Sequence, residues 1–165
     1  MNYQMSAVEK TGSSSAGTEM PGLGVATSYR LPRPGARPLV FAGTELAMAM
    51  SFTPELPYWY EVNLYRTEEQ HFVVAIRQFF QSEAEQDVCR AWSFETLAEA
   101  LDAIEHYDAA RDIRMPVLDL GAMVPAELAA RAMDLQSKVS AARLHFGGLA
   151  GELFSEIEAA GGSAV

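Results

Sequence analysis

The chain has 165 residues, 49% of them hydrophobic, and a formal net charge of −10. This length fits one domain with extensions. The acidic balance argues against nucleic acid and anionic lipid as partners, because binding to either depends on Lys and Arg. The single cysteine, Cys89, excludes an internal disulfide and a multi-thiolate metal site and fits a cytoplasmic location. No apolar run is long enough to predict a membrane span.

Residues 1–38 are rich in Ser, Gly, Thr and Pro and show no apolar period, so we expect a disordered tail. The tail ends in RLPRPGARP, whose prolines favour an extended backbone. A stiff linker is the simplest interpretation of this stretch. A proline-rich docking peptide and a basic strap lying on the acidic domain are the alternatives.

Residues 39–112 are predicted to form a ββββα domain. Alternating apolar residues predict strands in LVFAGTELAMAMSF, PYWYEVNLYR and HFVVAIRQFF, with a short fourth strand near DVCRAWSF. Thr96 and Glu99 have the spacing of a capping box at the start of a helix. We therefore predict an α+β fold: a four-stranded antiparallel sheet, one packed helix and a long C-terminal helix. The order ββββα resembles that of the Whirly-type single-strand DNA-binding fold, in topology only.

The second of these stretches, PYWYEVNLYR, places aromatic residues on both sides of one strand. We call the side of Tyr58, Tyr60, Val62 and Leu64 the first face, and the side of Trp59, Glu61, Asn63 and Tyr65 the second face. From the other strands, the second face is predicted to receive Ala47, Ala49, Val73, Ala75, Phe79, Cys89 and Ala91. Such an apolar surface is too large to be left in water.

Three arrangements would cover the second face. The C-terminal helix, from the same chain or a copy, would lie on it, or two sheets would pack together in a homodimer. In the third arrangement, Trp59 and Tyr65 would stack on nucleic-acid bases. Residues 39–92 hold three arginines against eight acids, so the third arrangement is disfavoured.

Residues 113–124 are predicted to be a connector, and residues 125–160 a C-terminal helix or helical pair that Pro125 can open. Apolar residues repeat here at spacings of four and three, which is a heptad seam. The seam consists of Leu128, Ala132, Leu135, Val139, Ala142, Phe146, Leu149 and Leu153. Three glycines, at 147, 148 and 151, oppose a helix unless packing compensates for them.

Two candidate ligand sites emerge from the residue types. Glu99, Asp102 and His106 share one face of the capped helix, where oxygen and imidazole ligands would suit a metal; a solvated acidic face explains the same pattern. A small-ligand binder or an enzyme would use a pocket near Trp59, Arg77 and Glu61. Because no catalytic or cofactor motif is present, we predict no cofactor and favour a non-enzymatic function.

We therefore expect a small cytoplasmic protein-interaction module. It would form a homo-oligomer, or dock a protein partner on its C-terminal helix, without binding a membrane. The predicted contact residues are Leu128, Leu135, Val139, Phe146, Leu149, Leu153, Trp59, Tyr65 and Phe79. A single-stranded nucleic-acid-binding protein, an acidic mimic of nucleic acid and a small-ligand binder are the alternatives.

Overall fold

The computed structural model describes residues 26–54, 56–119 and 121–162. Within these residues, five antiparallel strands form one sheet in chain order, followed by two α-helices. The strands are β1 (Thr27–Arg33), β2 (Ala36–Met50), β3 (Tyr58–Thr67), β4 (Phe72–Phe80) and β5 (Val88–Phe94). The helices are α1 (Leu97–Glu105) and α2 (Pro125–Gly162), with a 3₁₀ turn (Ala109–Asp112) between them. The α+β class is confirmed, but the predicted sheet was one strand short.

The additional strand is β1, which lies inside the segment predicted to be a disordered tail. Tyr29 and Leu31 are buried on one side of it, whereas Ser28 and Arg30 are exposed on the other. The turn into β2 uses Gly35 at a φ of +71°, a conformation that glycine adopts without strain. Strand rather than disordered tail is therefore found from residue 27 onward, and residues 1–25 lie outside the described part. Five strands before α1 also differ from the ββββα order.

A sharp corner in β2 makes the sheet curl. β1 pairs with β2 as far as Gly43, and β3 pairs with β2 from Gly43 onward. A Cβ atom on Gly43 would collide with the carbonyl oxygen of Arg66, so only glycine fits at the corner. The part of β2 before Gly43 forms the first hairpin with β1. In this hairpin, β1 packs against β5.

The first hairpin covers one end of the second face. Tyr29 lies 4.6 Å from Tyr65 and 5.2 Å from Phe41, measured between ring centroids. With these three aromatic residues, the inner core draws on all five strands, and its other members are Leu31, Leu39, Val73, Ala75 and Ala91. The covering is thus part of the same chain, and it is none of the three arrangements that the sequence predicted.

The first face carries the main core, on which both helices pack. Ala47 and Ala49 belong to this core, although alternation placed them on the second face. The reason is a bulge between Glu45 and Ala47, where one extra residue shifts the register with β3. Such an insertion moves every later side chain of the strand to the opposite face. Met48 therefore projects from the second face.

Both helices begin where the sequence predicted. The Thr96–Glu99 capping box is formed, with both reciprocal hydrogen bonds present. α2 is one continuous helix of 38 residues, about 57 Å long at 1.5 Å per residue. Its C-terminal half packs on the first face, where Phe146, Leu149 and Leu153 are at most 3% exposed. Residues 125–141 of the helix lie outside the core cluster, which begins at Ala142 on α2.

Candidate interaction surfaces

Most of the large exposed hydrophobic side chains of the described chain lie in two regions. The first is at the open end of the second face, and the second is the connector together with the N-terminal half of α2. Soluble monomers rarely expose contiguous apolar patches, and larger ones mark interaction sites. These two regions are therefore the candidate functional surfaces.

We call the first region the edge patch; it comprises Met48, Met50, Phe52, Trp59 and Phe79. Met48, Met50 and Phe52 are 43%, 48% and 47% exposed. The Trp59 ring stacks on Phe79 at 5.3 Å and meets Phe52 edge-on at 5.4 Å. Because the residues lie on or next to three strands, the rings are held in place before any partner arrives.

An ion pair separates the edge patch from the inner core. Arg77 Nη1 donates to Glu61 Oε1 at 3.3 Å, and the two side chains are 12% and 13% exposed. Cys89 lies opposite Arg77 on β5. Burial raises the pKa of the Cys89 thiol, although Arg77 opposes the change. A neutral, half-buried thiol is a poor nucleophile, so this border is structural.

The second region contains the free part of the heptad seam. Leu128, Leu135 and Val139 are half-buried, and none of them joins the core cluster. On the flanks of this seam, Arg131 pairs with Glu127 at 3.8 Å and Lys138 with Asp134 at 2.8 Å. We call Leu128, Leu135 and Val139 the free seam.

Exposed apolar residues also occupy the connector, which precedes the free seam in the chain. Met115 is 70% exposed, Val117 93% and Val124 61%. Leu118 is also exposed. The connector therefore extends the apolar surface of the N-terminal half of α2.

A third feature is a buried polar network between the 3₁₀ turn and the sheet. The carboxylate of Asp112 is 2% exposed and accepts hydrogen bonds from Arg90, from the Tyr107 hydroxyl at 2.6 Å and from the Tyr60 hydroxyl at 3.3 Å. Burial, reinforced by Asp112, raises the pKa of both phenols well above the usual value. The tyrosines therefore remain protonated donors, which suits a network that joins the 3₁₀ turn to the sheet.

The candidate metal ligands do not form a metal site. The Glu99 carboxylate accepts from the Thr96 backbone in the capping box, and His106 pairs with Asp102 at 3.2 Å on the solvent side. The searched, described residues contain no group of three or more His, Cys, Asp or Glu side chains that could hold a metal ion. The solvated acidic face is the interpretation that this geometry supports.

A shallow cleft of about 260 Å³ lies between the end of α1 and α2. Tyr107, Phe146 and Gly147 line its apolar part. Across its mouth, Arg143 makes two hydrogen bonds to Asp108, at 2.9 and 2.8 Å. Arg143 and Asp108 are therefore paired with each other and not directed at a ligand, whereas Glu105 and His106 also line the cleft.

The structure brings some of the predicted contact residues together and separates others. Trp59 and Phe79 meet in the edge patch, but Tyr65 is 1% exposed in the inner core. The predicted seam is likewise divided between the free seam and the main core. Sequence reasoning missed Met48 and Met50 as surface residues, because the bulge that turns them outward leaves no mark in the alternation.

No protein-family model, curated protein or solved structure matches the chain. Among the described residues, no helix has the length and apolar character needed to cross a membrane.

Proposed function

We propose that the protein is a cytoplasmic interaction module that self-associates, two copies meeting along the free seam of α2. The observation that carries this proposal is the division of one heptad pattern. Phe146, Leu149 and Leu153 are buried in the main core, while Leu128 and Leu135, in the same pattern, lie outside it. Apolar seam residues with no packing partner in the core gain most from a second helix.

The identity of the seam residues favours two strands over larger assemblies. Leu128 and Leu135 occupy d positions, and Val139 occupies an a position. A β-branched residue at a with leucine at d is the combination typical of two-stranded coiled coils. The i, i+4 ion pairs at Arg131 and Lys138 neutralise the flanks, so two copies approach without strong repulsion.

The connector supplies the rest of the proposed contact. Each partner in a stable complex buries roughly 800 Å², whereas even a large aromatic side chain buries only about 150–250 Å². Three aliphatic seam residues therefore fall short. Met115, Val117 and Val124, all at least 61% exposed, supply additional apolar surface just before the free seam in the chain.

The other expected functions have less support. Nucleic acid would require available cations near the aromatic rings, but Arg77 is bound to Glu61. The same ion pair occupies the position where a small ligand would have to bind near Trp59. The acidic-mimic alternative predicts a basic partner.

The test is the solution mass of the full chain, by light scattering after size exclusion. Leu135→Asp places a charge in the seam, and Ser137→Asp adds the same charge on the opposite side of the helix. An unpaired polar group costs roughly 2–7 kcal/mol on burial, so Leu135→Asp should raise the dimer Kd more than tenfold. We expect wild type and Ser137→Asp to be dimers and Leu135→Asp a folded monomer.

Two results would contradict the proposal. One is a monomeric wild type at every concentration studied, and the other is a Leu135→Asp protein that keeps the wild-type mass. Circular dichroism in the near ultraviolet confirms that each variant is folded, because it reports on the packed aromatic core. Leu135 itself is not a member of that core.

A further inference from the structure

We propose that the edge patch and the adjoining edge of β2 bind an extended, apolar and basic segment of another protein, which adds to the sheet as a strand. This site is separate from the free seam and goes beyond self-association. Its recognition would combine backbone hydrogen bonds with side-chain contacts, as in other cases of strand addition.

The backbone part of the site is the outer edge of β2. Residues 47–50 pair with β3 on one side. On the other side, β1 follows β2 only as far as Gly43, and within the described ranges no other strand pairs with residues 47–50. An unpaired strand edge presents backbone N–H and C=O groups to any chain that approaches in an extended conformation.

The side-chain part of the site lies directly beside that edge. Met48 and Met50 project from the second face, so an added strand would place alternate side chains over them. Phe52 and the stacked pair of Trp59 and Phe79 continue the apolar surface. Methionine adapts its shape to a partner, and aromatic rings that are already held lose little entropy on binding.

Charge determines the kind of partner. The loop after β4 (81–87) follows Phe79 closely in the chain, and its Gln81 side chain donates to the Leu56 carbonyl, two residues before Tyr58. This loop carries three acidic residues, Glu83, Glu85 and Asp87, and no Lys or Arg. Glu85 is paired with Arg114 at 3.7 Å, and the others add to a negative field. A segment with Lys or Arg beside its apolar residues complements this field, whereas a second copy would bring like charges together.

The experiment selects binders from a library of random peptides displayed on phage, using the full chain as bait. We expect enriched peptides to combine apolar residues with Lys or Arg, and their affinity to fall as salt rises. Met50→Glu should weaken the selected peptides at least tenfold. Met133→Glu is the matched control, because Met133 is 72% exposed on α2 and belongs neither to the edge patch nor to the edge of β2.

Hydrogen exchange then tests strand addition itself. Bound peptide should slow exchange at the amides of residues 47–50 that point away from β3. The inference is overturned if no basic apolar peptide is enriched, if Met50→Glu binds as well as Met133→Glu, or if these amides keep their exchange rates. Conversion of a wild-type dimer to a monomer by Met50→Glu would also overturn it, by assigning the edge patch to a second copy.

Discussion

Asp112→Ala tests how much the buried polar network contributes to stability. The carboxylate accepts two hydrogen bonds from Arg90, at 3.0 and 3.1 Å, and others from Tyr107 and Tyr60. The substitution removes the shared acceptor while the donors stay in place. A guanidinium and two phenolic hydroxyls are then left without it.

The expected loss of stability is large for a chain of this size. Removing one member of a buried ion pair typically costs about 3–5 kcal/mol. The Arg90 side chain is 26% exposed, so water would recover part of its hydration. Each orphaned hydroxyl costs roughly 1–3 kcal/mol, but the groups share one acceptor and their costs do not add. We therefore expect a decrease of about 3–4 kcal/mol in the free energy of unfolding.

Urea unfolding at one fixed protein concentration measures this decrease. Asp134→Ala is the matched control, because Asp134 pairs with Lys138 at 2.8 Å while its side chain is 61% exposed. Exposed pairs contribute roughly 0–1 kcal/mol, so the control should lie close to wild type. A loss below about 1 kcal/mol for Asp112→Ala, comparable to the control, would show that the network is not needed for stability.

Further predictions concern the sheet corner and one carboxylate. Gly43→Ala should destabilise the fold by about 1–3 kcal/mol, because its Cβ meets the Arg66 backbone. Gly148→Ala, with open space around its Cβ, should stabilise α2 by up to about 1 kcal/mol; urea midpoints check both. The hydrogen bonds from Arg143, and then from the Ala110 amide, lower the pKa of Asp108 to about 2. Since this folded-state pKa lies below the ordinary 3.8, the associated stability is present above pH 3.8 and disappears as the pH falls toward 2. Carboxyl NMR titration should show the midpoint return toward 3.8 in Arg143→Gln.

The sequence predicted the elements in which local pattern and packing agree. Alternation in β3 placed Tyr60 and Val62 on the helix-covered face, and the Thr96–Glu99 spacing located the start of α1. Pro125 marked the start of α2. In each case the side-chain period, or a cap with its own hydrogen bonds, is sufficient to define the local structure.

Two features, β1 and the bulge in β2, were not predicted, and each has its own physical cause. β1 was hidden by Pro32 and by the surrounding Ser and Gly, yet an edge strand tolerates proline because one side of its backbone needs no partner. The period-two pattern of Tyr29 and Leu31 before the Pro34–Gly35 turn was the signal that could have found it. The bulge after Glu45 had no such signal, since one inserted residue depends on the fit to β3 rather than on composition.

The interaction surfaces could be predicted only in part from the local sequence pattern. Heptad spacing identified all the seam residues, but it does not say which of them a sheet will bury first. Only the packing of Phe146 and Leu149 on the main core separates the free seam from the rest. Likewise, Trp59 and Phe79 were expected at an interface, whereas Met50 became part of the edge patch only through the bulge.

The curled sheet also sets an order for folding during synthesis. β2 to β5 are joined as successive hairpins, so each can pair with a strand that has just preceded it. β1 differs, because Tyr29 and Leu31 are buried against residues as late as Ala91. The first described strand to leave the ribosome is thus among the last to be enclosed. Until β5 emerges, these two side chains lack their packing against Ala91 and stay more exposed to water and to chaperones than in the finished fold.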